Sequence, residues 1–206
     1  MKLWLTCIVI ALLLAPYAFA GEDERSADST SATATSATSA DVADVDASDS
    51  HAEREAIVAI LSHYHEVPNR QQLEAGSDDA RTIVFDLARD EDAFVFHRQR
   101  ALRALSHWPD DEVYDYLLSL LHDENTEDGL RHHLLPVLAE GFGEKAIEDL
   151  KRYLFNAEDP HIRISAAGAI ATIPGDDAHE LLLQALQRET NPIVQRRLET
   201  YATRLR

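Results

Sequence analysis

Residues 159–170 read DPHIRISAAGAI, and this stretch decides the fold because its pattern occurs three times. An arginine followed by small apolar residues stands at Arg98, Arg131 and Arg163, at steps of 33 and 32 residues. The apolar positions after each arginine keep one register: Ala101, Leu134 and Ala166; Ala104, Val137 and Ala169; Leu105, Leu138 and Ile170. A period of this length with helical spacing predicts a solenoid of stacked helical hairpins.

A second apolar set follows each arginine at a fixed distance and predicts a second helix in each unit. Its members are Val113, Ala146 and Ala178; Leu117, Leu150 and Leu182; Leu121, Leu154 and Leu186. Helix-start signals accompany both sets, such as Asp110-Asp111, Asp159-Pro160 and Asn191-Pro192. We therefore expect an all-α fold over residues 51–206, an α-α superhelix of about four helical-hairpin units with an irregular first unit.

The segment DPHIRISAA at 159–167 and residues 90–105 resemble HEAT repeats, in particular the short bacterial HEAT-like type, and the likeness extends over roughly residues 77–206. The resemblance implies that the arginine-bearing first helices lie on the convex side and that the second helices line the concave side. It also implies that the repeat arginines Arg98, Arg131 and Arg163 stack with acidic loop residues of neighbouring repeats. In the last copy Gln195 stands where the arginine is expected, which departs from the family pattern.

The first 20 residues have the order of a secretory signal peptide. Lys2 precedes an apolar run at 3–14, and the segment ends in the small-residue motif Ala18-Phe19-Ala20. We expect cleavage after Ala20 and a periplasmic or secreted location, with an uncleaved membrane anchor as the alternative. Residues 21–50 are rich in Ser, Thr, Ala and Asp, so we expect a disordered acidic tether that buries too little apolar surface to fold.

The charge of the chain is strongly negative, with 37 acids, 19 lysines and arginines and a net charge of −18. A negative chain is repelled by nucleic acids and by acidic membrane surfaces. We therefore expect no nucleic-acid partner, and a membrane contact only if the first segment stays uncleaved. A partner protein with a basic surface is favoured.

A row of acids falls at equivalent positions of the predicted second helices. Because these helices are expected to line the concave side, the row and its neighbours are predicted to bind another protein. Its members are Asp115, Glu148 and Glu180, flanked by Tyr114, His179 and Leu183 as apolar or hydrogen-bonding neighbours. The alternative is a solvated helix face in which Glu148 pairs with Arg152 at i,i+4.

Catalytic and metal-binding patterns are missing from the sequence. The tight histidine pairs, His63-x-His65 and His132-His133, point to different faces of a helix, and no phosphate loop or nucleophile motif is present. We expect no enzyme activity, no metal and no cofactor. An accessory subunit or an enzyme acting on a small ligand is the alternative, because phycobilin lyase-like proteins share this repeat type. That alternative needs His132, His133 or His179 turned into an enclosed pocket.

Overall fold

The computed structural model describes residues 39–63 and 67–204, with side chains from residue 49 onward. Within these ranges the chain is helical and contains no strand, which confirms the predicted all-α solenoid. The helices are α1 (Ser39–Leu61), α2 (Arg70–Glu74), α3 (Ala80–Arg89), α4 (Val95–Ala104), α5 (Asp111–His122), α6 (Asp128–Phe142), α7 (Ile147–Asn156), α8 (Pro160–Ile170), α9 (Asp176–Arg188) and α10 (Pro192–Arg204). Single 3-10 turns follow α4 and α6.

The N-terminal boundary differs from the prediction. Helix α1 begins at Ser39, so residues 39–50, which we expected to belong to the disordered tether, are helical. The expected signal peptide and the first part of the tether, residues 21–38, lie outside the described residues. No helix in the described part of the chain is long and apolar enough to cross a membrane.

The predicted helix-start signals act as N-caps. The side chain of Asp110 accepts a hydrogen bond from the amide of Val113, and Asp159 accepts one from His161 beside Pro160 at the first helical position. Short helix α2 was not predicted; it begins with a capping box at Asn69. Each cap satisfies amides that have no partner within the helix.

The core consists of the apolar positions that define the repeat. Every residue of the first apolar set is buried, and so is every residue of the second set except Leu186, which is half-buried. The apolar face of each helix is therefore covered by its neighbours along the stack, as expected for a solenoid.

The pairing of helices into hairpins differs from the expected order. Close backbone contacts join α3 to α4, α5 to α6, α7 to α8 and α9 to α10, whereas the backbones of α4 and α5 approach each other much less. Each hairpin therefore begins with the helix of the second apolar set and ends with the arginine-bearing helix. The sequence period gives the length of the unit but not its starting point, and that is why this prediction was wrong.

The repeat arginines connect the two helices of a hairpin. Arg98 donates to the carbonyl of Ala88 at 3.1 Å, and Arg131 donates to the carbonyl of Asp123 at 2.7 Å. The same contact recurs in the next two hairpins, from Arg163 to Ala157 at 2.8 Å and from Gln195 to Glu189 at 2.6 Å. We call these four contacts the cross-helix caps, because each supplies a donor to carbonyls that end the preceding helix.

The predicted stacking of these arginines with acidic loop residues of a neighbouring repeat holds for one of them. Arg163 pairs with Glu189 at 2.8 Å, and the two side chains are only 14% and 9% exposed. Arg131 pairs instead with Asp128 of its own helix. Arg54 of α1 pairs with Asp90 at 2.9 Å in the same relation as Arg163 with Glu189, so α1 is a further arginine-bearing helix.

The arginine-bearing helices α1, α4, α6, α8 and α10 form one layer, which we call the inner layer. Their backbones come close together because small groups lie between them: Gly141 faces the backbone of Ser106, and the hydroxyl of Ser165 donates to the carbonyl of His132 at 2.9 Å. The layer with the closer spacing lies on the inside of a curved stack. The concave side is therefore formed by the arginine-bearing helices, contrary to our expectation.

Helices α3, α5, α7 and α9 form the outer layer, where longer side chains bridge a wider gap. The hydroxyl of Tyr116 donates to the carbonyl of Ala88 at 2.8 Å, and that of Tyr153 donates to the carbonyl of Leu121 at 2.7 Å. Backbone contact between successive outer helices is sparse, with α7 and α9 coming closest. Tyrosines on one layer and Ala, Gly and Ser on the other are consistent with the curvature.

Removing a cross-helix cap should destabilise the stack. We expect Arg163→Ala to lower the free energy of unfolding by about 2–4 kcal/mol, because it removes the charged donor of the buried Glu189 carboxylate and leaves the carbonyls of Ala157 and Glu158 without this donor. Arg163→Gln should cost less, because Gln195 shows that an amide can reach the equivalent carbonyl. Urea unfolding measures both, with the exposed Arg196→Ala as a control expected within about 0.5 kcal/mol of wild type. An Arg163→Ala midpoint equal to that of the control would contradict this role.

The Arg163–Glu189 pair should also make stability depend on pH. The hydrogen bonds from Arg163 hold the pKa of Glu189 below its usual value of 4.5. The ionised carboxyl therefore stabilises the folded chain above that value, and this contribution is lost as pH falls through the lowered pKa. We expect Glu189→Gln to cost about 1–2 kcal/mol at neutral pH and its deficit to shrink below about pH 4.5. Unfolding curves across this range check the trend, which a pH-independent deficit would contradict.

Candidate functional site

The three acids of the predicted row are exposed, but they lie on the outer layer. Asp115, Glu148 and Glu180 occupy equivalent positions of α5, α7 and α9. Glu148 pairs with Lys151 at 3.1 Å rather than with Arg152. The amide of Gln184 lies 3.3 Å from Glu180 and donates to it. The row therefore faces away from the concave side, and its binding role stays a prediction.

Tyr114 is not a surface neighbour of this row. Its ring is buried, and its hydroxyl donates to Asp149 Oδ2 at 2.7 Å and approaches the carbonyl of Lys145 at 3.1 Å. Burial and the hydrogen bond to Asp149 raise the pKa of Tyr114. The ammonium of Lys145 lies 4.1 Å from the ring centre and pairs with Asp111 at 2.7 Å. Tyr114 thus joins α5 to the next hairpin and leaves no face for a partner.

His179 and Leu183 lie at the C-terminal end of the outer layer. Both line a cavity of about 160 Å³ between α9 and α10 that also contains Glu199. His179 Nδ1 is buried and has no hydrogen-bond partner among the described residues. Leu183 is half-buried against the core. Of the six predicted residues, only the three acids are fully exposed, so the row has no aromatic flank.

The histidines that the structure describes form no metal cluster. His133 is mostly buried and donates to the carbonyl of Gln99 at 2.9 Å, and burial lowers its pKa. Within the described ranges, no group of three His, Cys, Asp or Glu residues could hold a metal ion. Ser62 lies 2.9 Å from His97, but its hydroxyl gives its proton to the carbonyl of Val58 at 2.6 Å and so cannot act as a nucleophile activated by that ring.

The largest groove that we find in the described residues follows the inner layer. Its volume is about 680 Å³, and it crosses α4, α6, α8 and α10. Small groups such as Ala139 and Gly168 form part of its wall, and His132, Thr172 and Tyr201 contribute polar side chains. Arg103 and Glu140 form an ion pair at its edge, 3.6 Å apart. Sequence reasoning missed this groove because it placed the concave side on the other helices.

Charge differs along the inner layer. Helices α4, α6, α8 and α10 carry eight arginines and three acids, a net charge of +5. Helix α1 of the same layer carries one arginine and six acids, a net charge of −5, so the five inner helices together have no net charge. Helices α3, α5, α7 and α9 carry five basic residues and nine acids, a net charge of −4. The basic surface expected of a partner stays a prediction.

Comparison with known families agrees with the repeat assignment. Residues 125–202 match the family described as HEAT repeats. The matched segment begins in the turn before α6 and ends in α10, so it includes the donor residues of three of the four cross-helix caps. No curated protein and no solved structure matches the chain.

Proposed function

Because residues 125–202 form HEAT-like repeats, we propose that the chain is a non-catalytic scaffold that binds another protein along the groove of its inner layer. HEAT repeats generally mediate protein–protein interaction. The observation that carries the proposal is the groove itself, an open depression of about 680 Å³ that crosses four successive helices. A segment of a partner protein can follow such a path along the stack.

The composition of the groove favours a protein segment over a small ligand. Pockets for small molecules enclose most of their ligand and present a few converging polar groups. The small-ligand alternative needs His132, His133 or His179 turned into an enclosed pocket, whereas the depression that His132 lines is open. The small residues and the proline of the groove leave room for side chains of a partner.

Crosslinking from defined positions tests this proposal. We expect a photoreactive residue at His132 or Thr172, both exposed in the groove, to capture a partner in the producing cell. The same residue at Asp115 or Glu148 on the outer layer should capture much less of it. Glu148→Lys with Glu180→Lys should leave both the capture and the melting temperature unchanged. These outer positions are matched controls, because they are exposed and lie on the same hairpins.

The other outcomes of the crosslinking are informative. Capture only from Asp115 and Glu148, lost on charge reversal, would overturn the groove and support the acidic row with a basic partner. No capture above background from any of the four positions would contradict the scaffold and favour a small ligand.

We also propose that the protein is exported to the periplasm or secreted. The support is the order of residues 1–20, which resembles a cleavable signal peptide. We expect the mature chain to begin at Gly21, as measured by the intact mass and the N-terminal sequence of the exported form. Ala18→Arg with Ala20→Arg should block cleavage. A mature mass that includes residues 1–20 would show that the segment is retained.

A further inference from the structure

The last inner helix, α10, exposes a face that the earlier inner helices cover. His133 of α6 donates to the carbonyl of Gln99 on α4, and Ser165 of α8 donates to the carbonyl of His132 on α6. Arg196 occupies the position on α10 that corresponds to Gln99 and His132, and it is exposed. Among the described residues, α10 therefore presents an uncovered face of the kind onto which a further inner helix would pack.

This face of α10 combines apolar surface with unpaired positive charge. Ile193 is 63% exposed, and a depression of about 360 Å³ is lined by Pro192, Ile193, Arg196, Arg197 and Thr200. Neither Arg196 nor Arg197 forms an ion pair with any described residue, although the chain has a net charge of −18. In contrast, many arginines elsewhere are paired with acids: Arg54, Arg70, Arg81, Arg89, Arg103, Arg131 and Arg163.

The opposite end of the inner layer has the complementary character. Helix α1 packs on α4, and its exposed positions include the small residues Ala52 and Ala59 and the acids Asp49 and Glu55. The Glu55 side chain is 72% exposed and meets only His51, at 3.3 Å. Small residues permit the close backbone approach seen inside the layer, and the two acids match the charge of Arg196 and Arg197.

We propose that copies of this chain associate head to tail, with α1 of one copy packed against the open face of α10 of another. The contact would cover Ile193 and bring Arg196 and Arg197 to Asp49 and Glu55. It joins two different surfaces, so copies can add one after another in a row, which closes into a ring only if the rotation between copies allows it. The inner layer then continues from one molecule into the next.

The sequence of α1 supports a second copy over an unrelated helix as the occupant. Arg54, Ile57 and Leu61 keep the spacing of Arg98, Ala101 and Leu105, so α1 is built as an inner helix. Each open inner face within the molecule receives a helix of this kind. A helix of the inner type, α1, is therefore exposed at one end of the described inner layer. The face that such a helix would cover is exposed on α10 at the other end.

The test is sedimentation velocity of the purified chain over a wide range of concentration. We expect wild type to associate with rising concentration and to dissociate at high salt, because the contact depends on exposed charges. Arg196→Glu with Arg197→Glu should raise the dissociation constant at least about tenfold, and so should Asp49→Lys with Glu55→Lys. The outer-layer control Arg152→Glu should associate as wild type does.

A charge swap makes the test specific. A chain with all four substitutions restores opposite charges across the contact, so we expect it to associate again. All four side chains are exposed, and equal melting temperatures verify that each variant is folded. A monomeric wild type at all concentrations overturns the proposal, as does association that neither pair of substitutions weakens. The proposal is independent of the groove, since the crosslinks from His132 and Thr172 can fail or succeed separately.

Discussion

The carbonyl groups at the end of each outer helix need donors, and the stack depends on the next helix supplying them. An α-helix leaves its last four carbonyls without partners inside the helix. Here a guanidinium or amide reaches back across the turn to carbonyls at the end of the preceding helix, at Arg98, Arg131, Arg163 and Gln195. A long side chain recurs at one position of each unit, and its hydrogen bond joins the two helices of the hairpin. The sequence repeat therefore largely reflects the recurrence of this hydrogen bond in each hairpin.

The difference between the layers follows from what lies between neighbouring hairpins. On the inner side, Ser165 and Gly141 let helices approach until side chains touch the neighbouring backbone. On the outer side, the phenol groups of Tyr114, Tyr116 and Tyr153 span the gap and donate to polar atoms of a neighbouring hairpin. Close spacing on one side and wide spacing on the other bend the stack and open the groove on the inner layer.

Much of the fold could be predicted from the sequence, because local chemistry determines it. The apolar register gave the core, and Asp110 and Asp159 marked helix starts through hydrogen bonds within one turn. The side of the stack on which a helix lies could not be obtained in this way, since a period is the same wherever counting begins. The small residues Ala, Gly and Ser on the arginine-bearing helices, and the tyrosines on the other helices, indicate which helices form the inner layer. Arg54 indicates that α1 belongs to the same layer, but the longer connection that contains α2 breaks the regular spacing of the repeat arginines.

The candidate site was less predictable than the fold. The exposure of Asp115, Glu148 and Glu180 could be predicted from their helical spacing. The residues that contact Tyr114, His179 and Leu183 could not. Tyr114 is buried because it packs against the next hairpin, where its hydroxyl contacts Asp149 and Lys145, 35 and 31 residues further along the sequence. Such contacts depend on how the hairpins stack. Glu148 pairs with Lys151 and not with Arg152, and this pairing likewise depends on side-chain conformation, which the sequence spacing alone does not determine.

The cross-helix caps differ in strength along the chain, and this gives the stack a direction. Arg163 holds two carbonyls and a carboxylate, whereas Gln195 holds a single carbonyl, and no described helix packs on the outward face of α10. In a stack where each unit interacts mainly with its neighbours, opening begins where the neighbour contact is weakest. We expect the amides of α10 to exchange with solvent before those of α8, with fraying that proceeds from the C-terminal end toward the middle of the molecule. A molecule bound to α10 would then suppress this fraying and so stabilise the whole stack against unfolding.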